Sequence, residues 1–214
     1  DYYYAVTGVD DVGNEGWRVT CVGPVQSFSN GPVEFRAGLH MLAAPIIPAD
    51  HHPATLLGLS PSSLRYARYD TAAAAYRTYT GEPLADILRL ELGRGFWVRL
   101  DSPVRISPVG SLAPAGDLTL NVSRGWNQLG NPYLGSLSFG SITVIRNGNT
   151  MDLASAEATG VLRAYAWIYD SALGDYVLVH SRLGDRHAIK PWEGFWLLVD
   201  QACQVTLPRP TAAN

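Results

Sequence analysis

Gly125-Trp-Asn-Gln-Leu-Gly-Asn-Pro132 repeats the pattern of Gly38-Leu-His-Met-Leu-Ala-Ala-Pro45, and this pair of stretches governs the reading of the chain. Further on, Tyr69-Asp70 with Tyr76 returns as Tyr169-Asp170 with Tyr176. Gly95-Phe96-Trp97-Val98 returns as Gly194-Phe195-Trp196-Leu197. Gly38 and Gly125 lie 87 residues apart, Tyr69 and Tyr169 100, Gly95 and Gly194 99. One insertion of 13 residues (100 less 87) in the second copy accounts for most of the difference. Self-similarity at this scale predicts two copies of one β-rich unit, not a single active site.

Working outward, the strands show a period of two. Leu118, Leu120 and Val122 alternate with Asp117, Thr119, Asn121 and Ser123, and Cys203, Val205 and Leu207 alternate with Gln204 and Thr206. In Gly-Phe-Trp the two rings must point to opposite faces of a strand. One ring then fills the core, while the other packs on a neighbouring layer or is exposed. One helix is predicted, Thr150-Met-Asp-Leu-Ala-Ser-Ala-Glu-Ala-Thr-Gly160, capped by Thr150 and stopped by Gly160. It lies where the second copy carries its extra residues. The counterpart in the first copy, His52-Pro-Ala-Thr-Leu-Leu-Gly58, looks too short and broken to match it. Residues 83–92 fit a helical turn or a strand equally. The expected fold is all-β: two tandem β-sandwich or barrel-like repeats, 31–110 (degenerate) and 114–208, with one short helix in the second copy. Pro108-Val-Gly-Ser-Leu-Ala-Pro-Ala-Gly116 reads as the linker between them.

Residues 1–24 read as two strands around a turn, Tyr2, Tyr4 and Val6 alternating before Asp10-Asp11-Val12-Gly13-Asn14-Glu15-Gly16. The chain opens inside a strand-like pattern and is expected to be a piece of a longer secreted protein. Charged residues make up 16% of the 214, below the roughly 25% usual in globular domains, and Lys190 is the single lysine. A net charge of −3 recommends neither nucleic acid nor an anionic membrane as partner. No run approaches the roughly 18 apolar residues of a membrane span. Cys21 and Cys203 admit two readings, a disulfide closing nearly the whole chain or two buried thiols.

Two resemblances follow from quoted residues. The opening Tyr2-Tyr3-Tyr4-Ala5-Val6-Thr7-Gly8-Val9-Asp10, with its Gly13-Asn14 turn, resembles the end of a fibronectin type III domain over about residues 1–25. Gly125-Trp-Asn with Asn131-Pro132, then Trp167-Ile-Tyr-Asp170 with Tyr176, then Pro191-Trp-Glu-Gly-Phe-Trp196, resembles a repeat of large, secreted or surface-exposed bacterial proteins. The match covers nearly all of 118–208 with its motifs in fixed order. The first copy departs from it, with Leu39-His40 for Trp126-Asn127, Ala44 for Asn131 and Gly93 for Trp192. The resemblance implies a non-catalytic extracellular or cell-surface module and no particular ligand.

Catalytic constellations are not found: no Gly-x-Ser-x-Gly elbow, phosphate-binding loop or metalloprotease histidine pair occurs. His51-His52 and the acids at 10, 11 and 15 read as loop and turn residues, not metal ligands. Asp170 and Asp175 read as turn aspartates flanking Ser171-Ala-Leu-Gly174. No cofactor is implied. Surface aromatics are the better lead, because sugar rings pack on exposed Trp and Tyr while nearby polar groups bond their hydroxyls. Trp167 aligns with Ala67 and Trp192 with Gly93, so neither ring is needed to build the first copy. The expected ligand site is therefore Trp192, Trp167 and Tyr133, with Arg186 and Glu193 as polar contacts and polysaccharide as partner. The rival reading is a structural or assembly module, pairing with neighbouring domains or copies of the same chain.

Overall fold

A computed structural model describes residues 32–210 and, before them, the backbone pairs at 5–6 and 19–20. The chain divides into two units, Asp1–Gly31 and Pro32–Asn214. In the first, Ala5–Val6 runs antiparallel to Val19–Thr20, with Ala5 opposite Thr20. Cys21 and the acids at 10, 11 and 15 lie outside the described residues.

The second unit is built of antiparallel sheets. One four-stranded sheet takes the order Gly38–Ala43, Gly95–Leu100, Arg65–Asp70, Ala75–Thr78. A second takes the order Gly125–Gly130, Gly194–Val199, Leu162–Asp170, Asp175–His180. The registers also agree: Gly38 faces Leu100 and Ala43 faces Gly95, as Gly125 faces Val199 and Gly130 faces Gly194. Tyr69 faces Tyr76, as Tyr169 faces Tyr176.

Beneath the second sheet lies another, in the order Leu118–Val122, Cys203–Leu207, Thr143–Arg146, Asn149–Asp152. Val122, Val144, Val205 and Leu207 meet Leu129, Phe195, Leu197 and Ile168 in an apolar core between the layers. The alternation in 118–122 and 203–207 sets this packing, since residues two apart share a face. Cys203 is a free thiol, 8% exposed in that core and opposite Val122. The layer beneath the first sheet is smaller, a pair of Val33–Phe35 and Val104–Ile106.

Three expectations are corrected here. The extra residues of the second copy form the hairpin of Thr143–Arg146 and Asn149–Asp152, not a helix. Both copies carry a helix at matching positions, Pro53–Leu57 and Leu153–Ala158. The first is viable despite its length because His52 Nδ1 accepts from Ala54 N, Pro53 sits at its start, and Gly58 turns left-handed at its end. The second is capped by Asp152, whose carboxylate accepts from Ser155 N at 2.7 Å, while Thr150 belongs to the preceding strand. The third correction concerns the linker. Gly110–Ser111 pairs with Ile47–Pro48, and Ala113 is 7% exposed in the core, so part of it is built into the fold. In the undecided stretch, Asp86–Leu88 is a 3₁₀ turn.

The two large sheets are joined about an approximate two-fold relation. Ala43 N donates to Trp192 O and Gly130 N donates to Gly93 O, both at 3.0 Å. Leu42 bridges to Glu193 as Leu129 bridges to Arg94. Every member of one bond has its aligned counterpart in the other. The glycine of each Gly-Phe-Trp permits this approach. A methyl on Gly95 would lie 2.5 Å from Leu129 O, and one on Gly194 2.9 Å from Leu42 O. Phe96 and Phe195 are buried on one face of their strands, while Trp97 and Trp196, 8% and 7% exposed, face the opposite way. Trp97 packs edge-on to Tyr169 and Trp196 edge-on to Tyr69, each at 5.1 Å.

Candidate functional site

The joined faces leave a groove of about 610 Å³, within the range of ligand sites. Trp196, Trp126, Trp167 and Tyr69 line it, with Trp126 and Trp167 on the two strands that flank the strand of Trp196. Tyr76 and Tyr176, 50% and 43% exposed, stand at the rim with Asp175. Register places these rings. Trp167 lies directly across from Trp196, and Trp126 sits on the same face of the adjoining strand, two residues before Gln128, the partner of Trp196. Trp126 meets Trp196 at 6.3 Å and 79°. Tyr69 meets Tyr76 at 5.2 Å and 73°. Partial burial pushes the Tyr76 phenol above its ordinary value, so it remains a neutral hydroxyl at the rim.

The approximate two-fold does not extend to this groove. At the aligned positions of the first sheet stand Leu39 and Ala67 where the second has Trp126 and Trp167, and the concavity they line also takes in Trp97, Arg65 and Arg99. Two tryptophans, supported on regular strands, thus make the groove aromatic.

Of the expected site residues, Trp167 alone lines this groove. Trp192, Arg186 and Glu193 come together elsewhere, in a groove of about 540 Å³ that also takes in Arg36 and His40. There Arg186 is ion-paired to Glu193, which also accepts from Lys190 N at 2.7 Å. Trp192 is only 6% exposed and packs edge-on to Phe35 at 5.9 Å. It presents no open ring. Its backbone, at φ 70°, occupies the left-handed region, as Gly93 does at φ 75°. Tyr133 is 4% exposed, with its hydroxyl donating to Leu207 O at 2.8 Å and accepting from Leu118 N at 2.9 Å. Arg209 covers its ring at 5.2 Å. Trp192 and Tyr133 are therefore packing residues, because each fills volume between chain segments that must close.

Asp170, His51 and His52 make local hydrogen bonds. Asp170 accepts from Ala172 N and Leu173 N, and these bonds hold its carboxyl below the ordinary value. His51 bonds Leu90 O, and His52 caps its helix while contacting Glu82. Among the described residues no cluster of three or more His, Cys, Asp or Glu is placed to hold a metal. None of their helices is long and apolar enough to cross a membrane.

The groove also takes in Trp126, Trp196, Tyr69, Tyr76, Tyr176 and Asp175, none of them an expected site residue. Trp126 was open to the criterion that selected Trp167, since Leu39 aligns with it. Tyr76 and Tyr176 occur in both copies and so carried no signal of asymmetry. Comparison with protein-family models, curated proteins and solved structures finds no match for this chain.

Proposed function

We propose that this chain is a non-catalytic, extracellular carbohydrate-binding module of a large bacterial surface or secreted protein, holding its ligand in the aromatic groove. The carrying observation is the asymmetry: Trp126 and Trp167 stand where the equivalent sheet has Leu39 and Ala67. Large aromatic side chains left partly exposed forgo part of the burial energy that a core position would give them. A ligand face stacked on them would recover it. The lining holds one carboxylate, Asp175, where glycoside hydrolysis needs two facing acids. The resemblance of 118–208 to a surface-protein repeat and of 1–25 to a fibronectin type III end agrees with this setting.

Binding to a panel of soluble and insoluble polysaccharides, with Trp167→Ala and Trp192→Ala alongside, tests the reading. Trp167→Ala is expected to weaken binding at least about tenfold with the fold retained, from the lost stacking. Trp192→Ala is expected to lower the melting temperature instead. Equal binding by wild type and Trp167→Ala would remove the groove from the mechanism. The assembly reading keeps one observation of its own: the strand Ala75–Thr78 exposes all four of its residues and, among the described residues, lies at the edge of its sheet. Self-association without glycan binding would favour it.

A further inference from the structure

We propose that the groove selects an ammonium group carried by its glycan, a quaternary ammonium substituent or a protonated amino sugar, over a neutral sugar face. The inference rests on the reading of the groove as the ligand site and narrows it to a chemical class. Three observations carry it.

The lining consists of six aromatic rings and the Asp175 carboxylate, with no amide or guanidinium side chain among them. Neutral sugars are oriented by donors and acceptors placed beside the stacking ring. An organic cation needs neither; it is held by the negative faces of rings and by a nearby anion. The rings are also set as walls, not as a flat platform. Tyr69, Tyr76 and Trp196 stand mutually near perpendicular, at 73°, 86° and 78°. Trp196 lies 6.4 Å from Tyr76. Rings so inclined do not form one flat stacking platform, and any ring face left open in the groove attracts an organic cation that comes within the roughly 6 Å reach of a cation–π contact. Finally, the charge differs between the concavities over the two sheets. The concavity over the first sheet that holds Leu39, Ala67 and Trp97 carries Arg99 and an Arg65 paired to Asp101, whereas the lining of the aromatic groove carries a single charged group, the Asp175 carboxylate.

Tryptophan fluorescence and calorimetric titration of the full chain, at constant ionic strength, supply the test. The probes are choline, fully deacetylated glucosamine oligomers, their N-acetylated counterparts and cello-oligosaccharides. Choline or the glucosamine oligomers are expected to quench fluorescence and bind. Which of the two binds identifies the source of the ammonium group. Asp175→Asn is expected to weaken that binding about fivefold and leave any neutral oligomer unchanged. Neutral oligomers binding as tightly as charged ones, with Asp175→Asn without effect, would overturn the cation inference while leaving the carbohydrate reading in place. Absence of binding by every probe would overturn both.

Discussion

Single positions show the same chemical task met by different residues. Asn127 Nδ2 donates to Ser123 O at 2.7 Å, tying down the turn four residues earlier. In the first sheet His40 Nε2 bonds Arg36 O at 2.8 Å, the same spacing with another side chain. Aligned sequences present these as a loss of pattern, yet the hydrogen bond persists. The exchange has a pH consequence. Burial holds the His40 imidazole below the ordinary histidine value, so the unfolded chain takes up a proton where the folded one does not. The His40 contribution is full above the ordinary histidine range, declines as pH falls through it, and levels off below the depressed folded value. His40→Asn is expected to flatten the pH dependence of thermal unfolding between about pH 8 and about pH 5. Parallel profiles for the two proteins would refute the assignment. Trp192 illustrates a different balance. A bulky residue in the left-handed region costs about 1–3 kcal/mol. Burying an indole ring against Phe35 offsets a cost of that order.

At the level of strands, the junction between the sheets depends on what is missing from the side chains. Ala43 and Gly130 are aligned positions that meet each other; a methyl on Gly130 would fall on that of Ala43. The junction has room for one methyl, not two. Gly130→Ala is expected to destabilise by about 1–3 kcal/mol through overpacking. Adding Ala43→Gly should restore most of the loss, because it moves the single methyl to the other side. Denaturant unfolding of both single variants and the double gives the coupling directly. Additive effects would show that the two positions do not compete for the same space. Strands, and which of their side chains share a face, were legible in the sequence where one face is buried, as in 118–122; the pairing of 118–122 with 203–207 came from the tertiary structure. The helix at 53–57 was not. Five residues offer too little period, and its caps come from a histidine and a glycine that look like loop residues in isolation.

On the scale of the whole second unit, the two sheets complete each other. Met41, Trp97 and Trp196 form a core between them, with Trp126, Tyr69 and Tyr169 packed around it. A chain of residues 114–210 alone would expose Trp196, Tyr169 and the backbone edge at Gly194. It is expected not to persist as a folded monomer but to unfold or self-associate, as sedimentation and thermal denaturation would reveal. A monomer with a sharp transition would show the junction to be dispensable. From the sequence by itself came the all-β class and the opposite facing of Phe and Trp in each Gly-Phe-Trp, because these follow from alternation and spacing along the chain. Tertiary structure alone decided which tryptophans face solvent. Trp192 and Trp167 look alike in an alignment, each standing opposite a small residue. One closes against Phe35 and the other stays open beside Trp196, since exposure is set by segments distant in the chain that local pattern does not record.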